Sequence, residues 1–427
     1  MGELFRRLFH IFPGEGKKAC LFAFLGFLWS FAVTGVQKYA DSLFVLHIGA
    51  SELPTAYMYA ACGMMLLATL LMYAFHTYAV HRIYLAVLFV GITFYSCAYM
   101  CFQFEIGLES AWLWFALRVF GFLLFTVSVT CYWSFIDQFF ELSDAKRLYS
   151  LFSSMIFLGA GTTGSVMRTG IVDFQHLILG VIAILIFTAF LILHVKNDIP
   201  MRKLDITDDE PEPFNLPAFF KNLMKSRYAL LVMTGNFITF LLMVITEFNY
   251  MDSLDTYFTQ NLSGLPVGTE ENASLTLFMG QCIAGVSMSN LIIGLFVYSR
   301  ILKRYGIGSL LMCTPIILVM TFSGWLITDS IIFSVIGIFV VEGTLYVIDD
   351  SNFNLLLTGL PRPLKYKTRV FIEAFFEPVA MLMSSLLLSV PQIDSRLVGL
   401  SLAGCALIVA WTLKDRFEKK VLEVEVA

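Results

Sequence analysis

The sequence predicts an all-α polytopic membrane protein of twelve transmembrane helices in two pseudo-symmetric six-helix bundles. Three observations predict it. First, the 427 residues are 58% hydrophobic and only 14% charged, with a mean hydropathy of +0.79, which excludes an ordinary soluble domain. Second, the apolar residues fall into twelve stretches, each near the roughly 20 residues that cross a hydrocarbon core at about 1.5 Å per residue. Third, the cations are sorted: 24 of the 28 Lys and Arg fall in segments that twelve spans would place on one side of a membrane.

Residues 1–17 come first, as a short amphipathic segment. Leu4, Phe5, Leu8, Phe9 and Phe12 recur at helical spacing opposite Arg6 and Arg7, a pattern that lies on an anionic leaflet. No small-residue cleavage site follows the first span, so a cleavable signal is not expected. The first bundle, 18–196, holds spans at 18–46, 54–76, 83–104, 111–139, 149–170 and 174–195. Residues 197–226 then interrupt the pattern with Pro200, Asp208, Asp209, Glu210, Pro211, Pro213 and Pro217, a linker. The second bundle, 227–413, holds spans at 227–257, 275–299, 307–328, 330–352, 369–390 and 396–413, and 414–427 form a tail. Because the even-numbered loops and both ends carry the cations, the positive-inside rule puts both termini in the cytoplasm of a cell (inner) membrane.

The two halves echo each other. Tyr39-Ala40-Asp41-Ser42-Leu43 ends the first span, and Tyr250-Met251-Asp252-Ser253-Leu254 ends the seventh, 211 residues later. His81-Arg82 and Lys303-Arg304 occupy matching short loops 222 residues apart. Six plus six spans in parallel repeat describe the major facilitator architecture, in which the substrate sits between the halves and rocking gives alternating access.

Two cations fall inside spans: Lys38 in the first and Arg118 in the fourth. Charge at the bilayer centre costs about 2.5–3.5 kcal/mol on insertion scales, so such residues mark ion or substrate paths or internal pairs. Asp41 is one helical turn from Lys38. Lys38 and Arg118 therefore form either a cationic seat for a phosphate or carboxylate, or an ion network with Asp41 that ties two helices together. The second half carries the opposite sign, with Glu247, Glu342, Asp349, Asp350, Glu373 and Glu377. Asp41, Glu342 and Asp350 are candidates for ion coupling, and Arg369 stands one turn before Glu373 for pairing. Tyr39, Tyr250, Tyr132 and Trp133 are candidates to stack on a ring, or else packing residues.

Gly159-Ala160-Gly161-Thr162-Thr163-Gly164 spells a dinucleotide fingerprint but lacks the preceding strand. Small residues there instead permit close helix approach, with Gly280, Gly285 and Ser289 as the facing surface. The eight Cys and six His show no metal-ligand spacing, so no metal or other cofactor is expected. Asn261-Leu262-Ser263 and Asn272-Ala273-Ser274 spell glycan acceptors.

Several stretches resemble the ATP/ADP translocase family of nucleotide transporters. They are Tyr132-Trp133-Ser134-Phe135-Ile136-Asp137-Gln138, Asp144-Ala145-Lys146-Arg147-Leu148-Tyr149-Ser150-Leu151-Phe152, Arg300 to Gly306, Thr314-Pro315, and Asp349-Asp350 through Lys365, Lys367, Arg369 and Glu373. The resemblance implies nucleotide exchange using a few charges in both halves. The family's seventh-span Glu falls on Glu247, and its basic position before the eleventh span falls on Arg369. Its first-span Lys falls on Ala40, two residues from Lys38, and its acidic residue after the aromatic motif on Gln138.

The function expected is secondary active transport of an anionic, nucleotide or otherwise phosphorylated, metabolite by alternating access, with exchange as a mode. The alternatives are a proton-coupled transporter of an unrelated solute using Glu247 or Glu342, and a non-transporting receptor on this scaffold. An enzyme is not expected, since no nucleophile–base pair or metal set is readable. The partners expected are the metabolite and the lipid bilayer, not nucleic acid, for a monomer.

Overall fold

A computed structural model describes residues 15–140, 142–199, 223, 226–262, 270–328, 330–360, 368–369 and 371–426. The amphipathic segment up to residue 14, nearly all of the linker, and Lys365 and Lys367 lie outside the described residues, as do the side chains of both glycan-acceptor asparagines.

Among the described residues twelve helices follow in order. They are α1 (Gly16–Ile48), α2 (Leu53–Thr77), α3 (Val80–Gln103), α4 (Ala111–Ile136), α5 (Leu142–Thr169), α6 (Phe174–Asp198), α7 (Arg227–Leu262) and α8 (Glu270–Ile292). Then come α9 (Tyr298–Ile327), α10 (Ile331–Thr358), α11 (a wide turn, Ile372–Phe376, running into Glu377–Leu388) and α12 (Ser395–Val426). Eleven of them are long and apolar enough to cross a membrane, and α11 is short among the described residues. The chain is a multi-pass membrane protein.

Helix ends differ from the predicted spans mostly by running further. Composition marks only where a helix stays apolar, whereas backbone hydrogen bonds continue it into polar flanks. So α12 takes in the tail, and α9 starts at Tyr298, before Arg300 to Arg304. Stops are set by glycine in the left-handed region. Gly49 (φ 94°) ends α1 and donates its N–H to Val45 O at 2.9 Å, and Gly170 (φ 61°) follows α5. Gly306 (φ 73°) kinks α9. Wide π turns occupy Ile293–Val297, Val340–Asp349 and Ile372–Phe376.

The described chain forms two compact units whose make-up differs from the two sequence halves. One is drawn from Met1–Gly49, Thr69–Leu204 and Phe258–Leu295, the other from Ala50–Ala68, Asp205–Tyr257 and Phe296–Ala427. In the first unit, α1 packs against α4, α5 and α6, and α5 runs along α8. Phenylalanine fills one end: Phe22 meets Phe135, Phe139, Phe140 and Phe152 at ring separations of 5.1–6.4 Å. Such aromatic contacts add about 0.5–1.5 kcal/mol each beyond area burial.

The α5–α8 contact explains why Phe258–Leu295 of the second half joins the first unit. A β-carbon on Gly164 would lie 2.5 Å from Ala284 N, and one on Gly280 would lie 2.6 Å from Arg168 N. The helices meet backbone to backbone. Gly280 is thus the facing residue expected from the sequence, but its neighbours on α8 are Ala284 and Ser287 rather than Gly285 and Ser289. Gly159 turns the other way and meets Phe27 O of α1. Ser42 Oγ and Thr276 Oγ1 share a hydrogen bond at 3.0 Å.

In the second unit, α9 packs along α12, where the Phe322 ring covers Gly399. Tyr228, Val232, Ile307, Leu311, Leu356 and Leu413 form its core. The first residues of α2 belong here because Ser385 Oγ on α11 donates to Pro54 O, and Ala50 N donates to Asp255 Oδ2 at 2.8 Å.

Candidate functional site

Lys38 and Asp41 sit one turn apart on α1, so their side chains lie on one face. Asp41 is seven residues before the end of α1, and Arg118 is seven residues after the start of α4. The two helices run in opposite chain directions, so both residues stand about 10 Å in from the same end. That register makes them meet. Arg118 donates to Asp41 Oδ1, and Lys38 Nζ lies 3.7 Å from Asp41 Oδ2. The exposures are 7% for Lys38, 3% for Asp41 and 5% for Arg118. The Arg118 guanidinium also lies 5.5 Å from the centroid of the Phe44 ring, within cation–π range.

Both cations therefore meet one carboxylate, and all three side chains are shielded in this structure. Gln37, beside Lys38, was not singled out in the sequence. It is buried, and its Oε1 has no hydrogen-bond partner; an amide among alternating apolar residues gives no periodic signal.

The other candidates are dispersed. Tyr39, half-buried, stacks on Phe174 at 5.1 Å and donates to Val172 O at 3.4 Å. Tyr250 is fully buried beneath Gly337. Tyr132 is sealed with its hydroxyl donating to Phe22 O at 3.1 Å, and Trp133 packs on Tyr149. Gln138 is half-buried, with its Oε1 shielded and without a hydrogen-bond partner. Glu247 on α7 and Glu342 in the π turn of α10 are half-buried in the second unit.

A second charged group lies in that unit, where α10 ends and α11 begins. Arg369 Nε donates to Glu373 Oε1 at 2.8 Å, both side chains 49% exposed. Asp350 and Glu377 complete the group as charged neighbours of this pair. The Arg369–Glu373 pairing follows the helical spacing expected from the sequence. Being exposed, it adds little: Glu373→Ala is expected to change stability by no more than about 0.5 kcal/mol in thermal unfolding. Among the described residues, no three or more His, Cys, Asp or Glu stand close enough together to hold a metal ion.

No protein-family model matches the sequence, and no curated protein does. The fold, by contrast, is shared with solved transporters. The POT family transporter PepTSo superposes with a TM-score of 0.63 at 10% identity over 96% of this chain and 99% of that one. A point mutant of the nucleoside transporter NupG gives 0.61 at 12% identity over 93% and 99%. A peptide transporter POT in complex with sulfate gives 0.60 at 13% identity over 93% and 95%. These likenesses establish the twelve-helix, major-facilitator-like fold. They add nothing to the translocase resemblance, which rests on its quoted motifs alone.

Proposed function

We propose that the chain is a secondary transporter moving a small anionic metabolite by alternating access, with nucleotides the leading class and exchange its mode. The observation that carries this reading is the convergence of Lys38 and Arg118 on Asp41 at membrane depth, in a fold shared with transporters of polar solutes. A helix-to-helix tie needs one cation against one carboxylate. A second cation on the same carboxylate supplies a position that an entering phosphate or carboxylate can take over from Asp41, with Arg118 able to bind it through two donors. The motif resemblance to the nucleotide translocases favours a phosphorylated substrate. Cation sorting along the chain favours cytoplasmic termini in a cell membrane, and no chemical step is assigned to the protein.

The carboxylates of the second unit favour a second reading, in which a proton gradient drives the movement. The two are not exclusive: an anion site and a coupling carboxylate can serve one cycle.

Lys38→Met is expected to abolish uptake of the substrate in proteoliposomes while keeping the folded protein, since methionine preserves the length of the buried chain. Uptake at the wild-type rate by a folded Lys38→Met protein sinks the assignment. The substrate is found by thermal-shift screening with nucleotides, sugar phosphates and carboxylates. A ligand at 100 times its Kd stabilises the folded state by about 2.7 kcal/mol.

A further inference from the structure

The carboxylates of the second unit are unevenly provided for. Glu373 holds Arg369, and Asp350 has Arg369 among its charged neighbours. The charged neighbour of Asp349 is Asp350, another acid. Asp349 Oδ2 is shielded from solvent and has no hydrogen-bond partner. The hydroxyl of Thr314, only 2% exposed on α9, faces the same carboxylate. Its Oγ1 completes no hydrogen bond either.

Two shielded oxygens thus stand against each other on neighbouring helices. A shielded carboxylate charge with no cation beside it is costly unless it is neutralised. One proton on Oδ2 discharges the carboxylate, which has an acid and no cation as its charged neighbour, and lets it donate to Thr314 Oγ1. A hard metal cation instead needs about six or more oxygens, and Asp349 and Thr314 together bring three.

We infer that Asp349, positioned against Thr314, is a proton-binding site within α10, and that its loading and release couple a proton to the transport cycle. The coupling rests on the transporter reading; the protonation does not. Asp349 is the last residue of the Val340–Asp349 π turn, a geometry frequent at functional sites. It lies nine residues before the end of α10, about 13 Å in from that end, and the adjacent Asp350 is exposed on the helix surface. The proton that loads Asp349 comes from water by way of the neighbouring Asp350 carboxylate in this proposal, and it leaves by the same route, restoring the carboxylate. The ionisable groups around the site are Tyr298 and Cys313 on α9 and Asp350 on α10 itself. Arg369, Glu373 and Glu377 at the start of α11 surround Asp350.

The test is infrared difference spectroscopy between acid and alkaline pH, on the purified full chain in lipid. A protonated-carboxyl stretch is expected in wild type, lost in Asp349→Asn and kept in Asp350→Asn. Thr314→Val is expected to shift that band without removing it, which a merely structural threonine would not do. A band that survives unchanged in Asp349→Asn overturns the site, as does its absence from wild type. Should Asp349→Asn fail to fold, an unshifted band in Thr314→Val overturns it equally. In proteoliposomes, ADP uptake under an inward proton gradient is expected to fall at least tenfold in Asp349→Asn, while ADP counterflow without a gradient persists. Uptake that still follows the gradient in Asp349→Asn overturns the coupling. If the band behaves as expected but wild type takes up no ADP, the proton site stands and the nucleotide-transport reading falls.

Discussion

Asp41→Ala is expected to destabilise the protein by about 3–5 kcal/mol, the largest effect of any single change considered. The substitution leaves Lys38 and Arg118 without the carboxylate they share, inside a contact where all three side chains are nearly sealed. Breaking a buried ion group by removing one partner costs that much because the remaining charge stays desolvated. Replacing the whole group is different, since well-packed apolar residues of similar volume are often neutral or stabilising in its place. The triple variant Lys38→Met, Asp41→Leu, Arg118→Leu is therefore expected to unfold near the wild-type temperature while transporting nothing. Thermal unfolding and uptake measured on the same preparations separate the two roles. A triple variant that is stable and still transports shows the ion group to be only a helix tie.

Gly164→Val is expected to disrupt the α5–α8 crossing and abolish activity. Its β-carbon would stand 2.5 Å from Ala284 N and 2.8 Å from Gly280 O, backbone atoms that cannot rotate away. Inserting carbon into a packed contact costs about 1–3 kcal/mol and sometimes more, and here the helices themselves must separate. Gly180→Ala is the matched control. That glycine lies inside α6 with nothing within 4 Å of the added carbon, so the change is expected to stabilise by about 0.5–1 kcal/mol through the unfolded chain. Comparing the two variants by thermal unfolding in detergent checks the argument. Equal behaviour would mean that the crossing does not limit stability.

The resemblance to nucleotide translocases and the geometry bear on different questions. The motifs Ala145-Lys146-Arg147 and Thr314-Pro315 suggested a substrate class. Thr314 acquires a physical role only once α9 is seen to face α10, where it meets Asp349.

The sequence by itself determined the helices and their number, because partition between lipid and water depends on local composition: a run such as 174–195 is apolar whatever it touches. It also determined that residues 159–164 would permit close approach, since glycine lacks the atoms that keep backbones apart. Tertiary structure alone decided that Lys38 and Arg118 both end on Asp41, that Tyr250 is buried beneath Gly337, and that Asp349 meets a hydroxyl instead of a cation. Those outcomes depend on which helices adjoin and in what register. A few ångströms of sliding between two antiparallel helices exchanges one partner for another, and no short stretch of sequence encodes that offset.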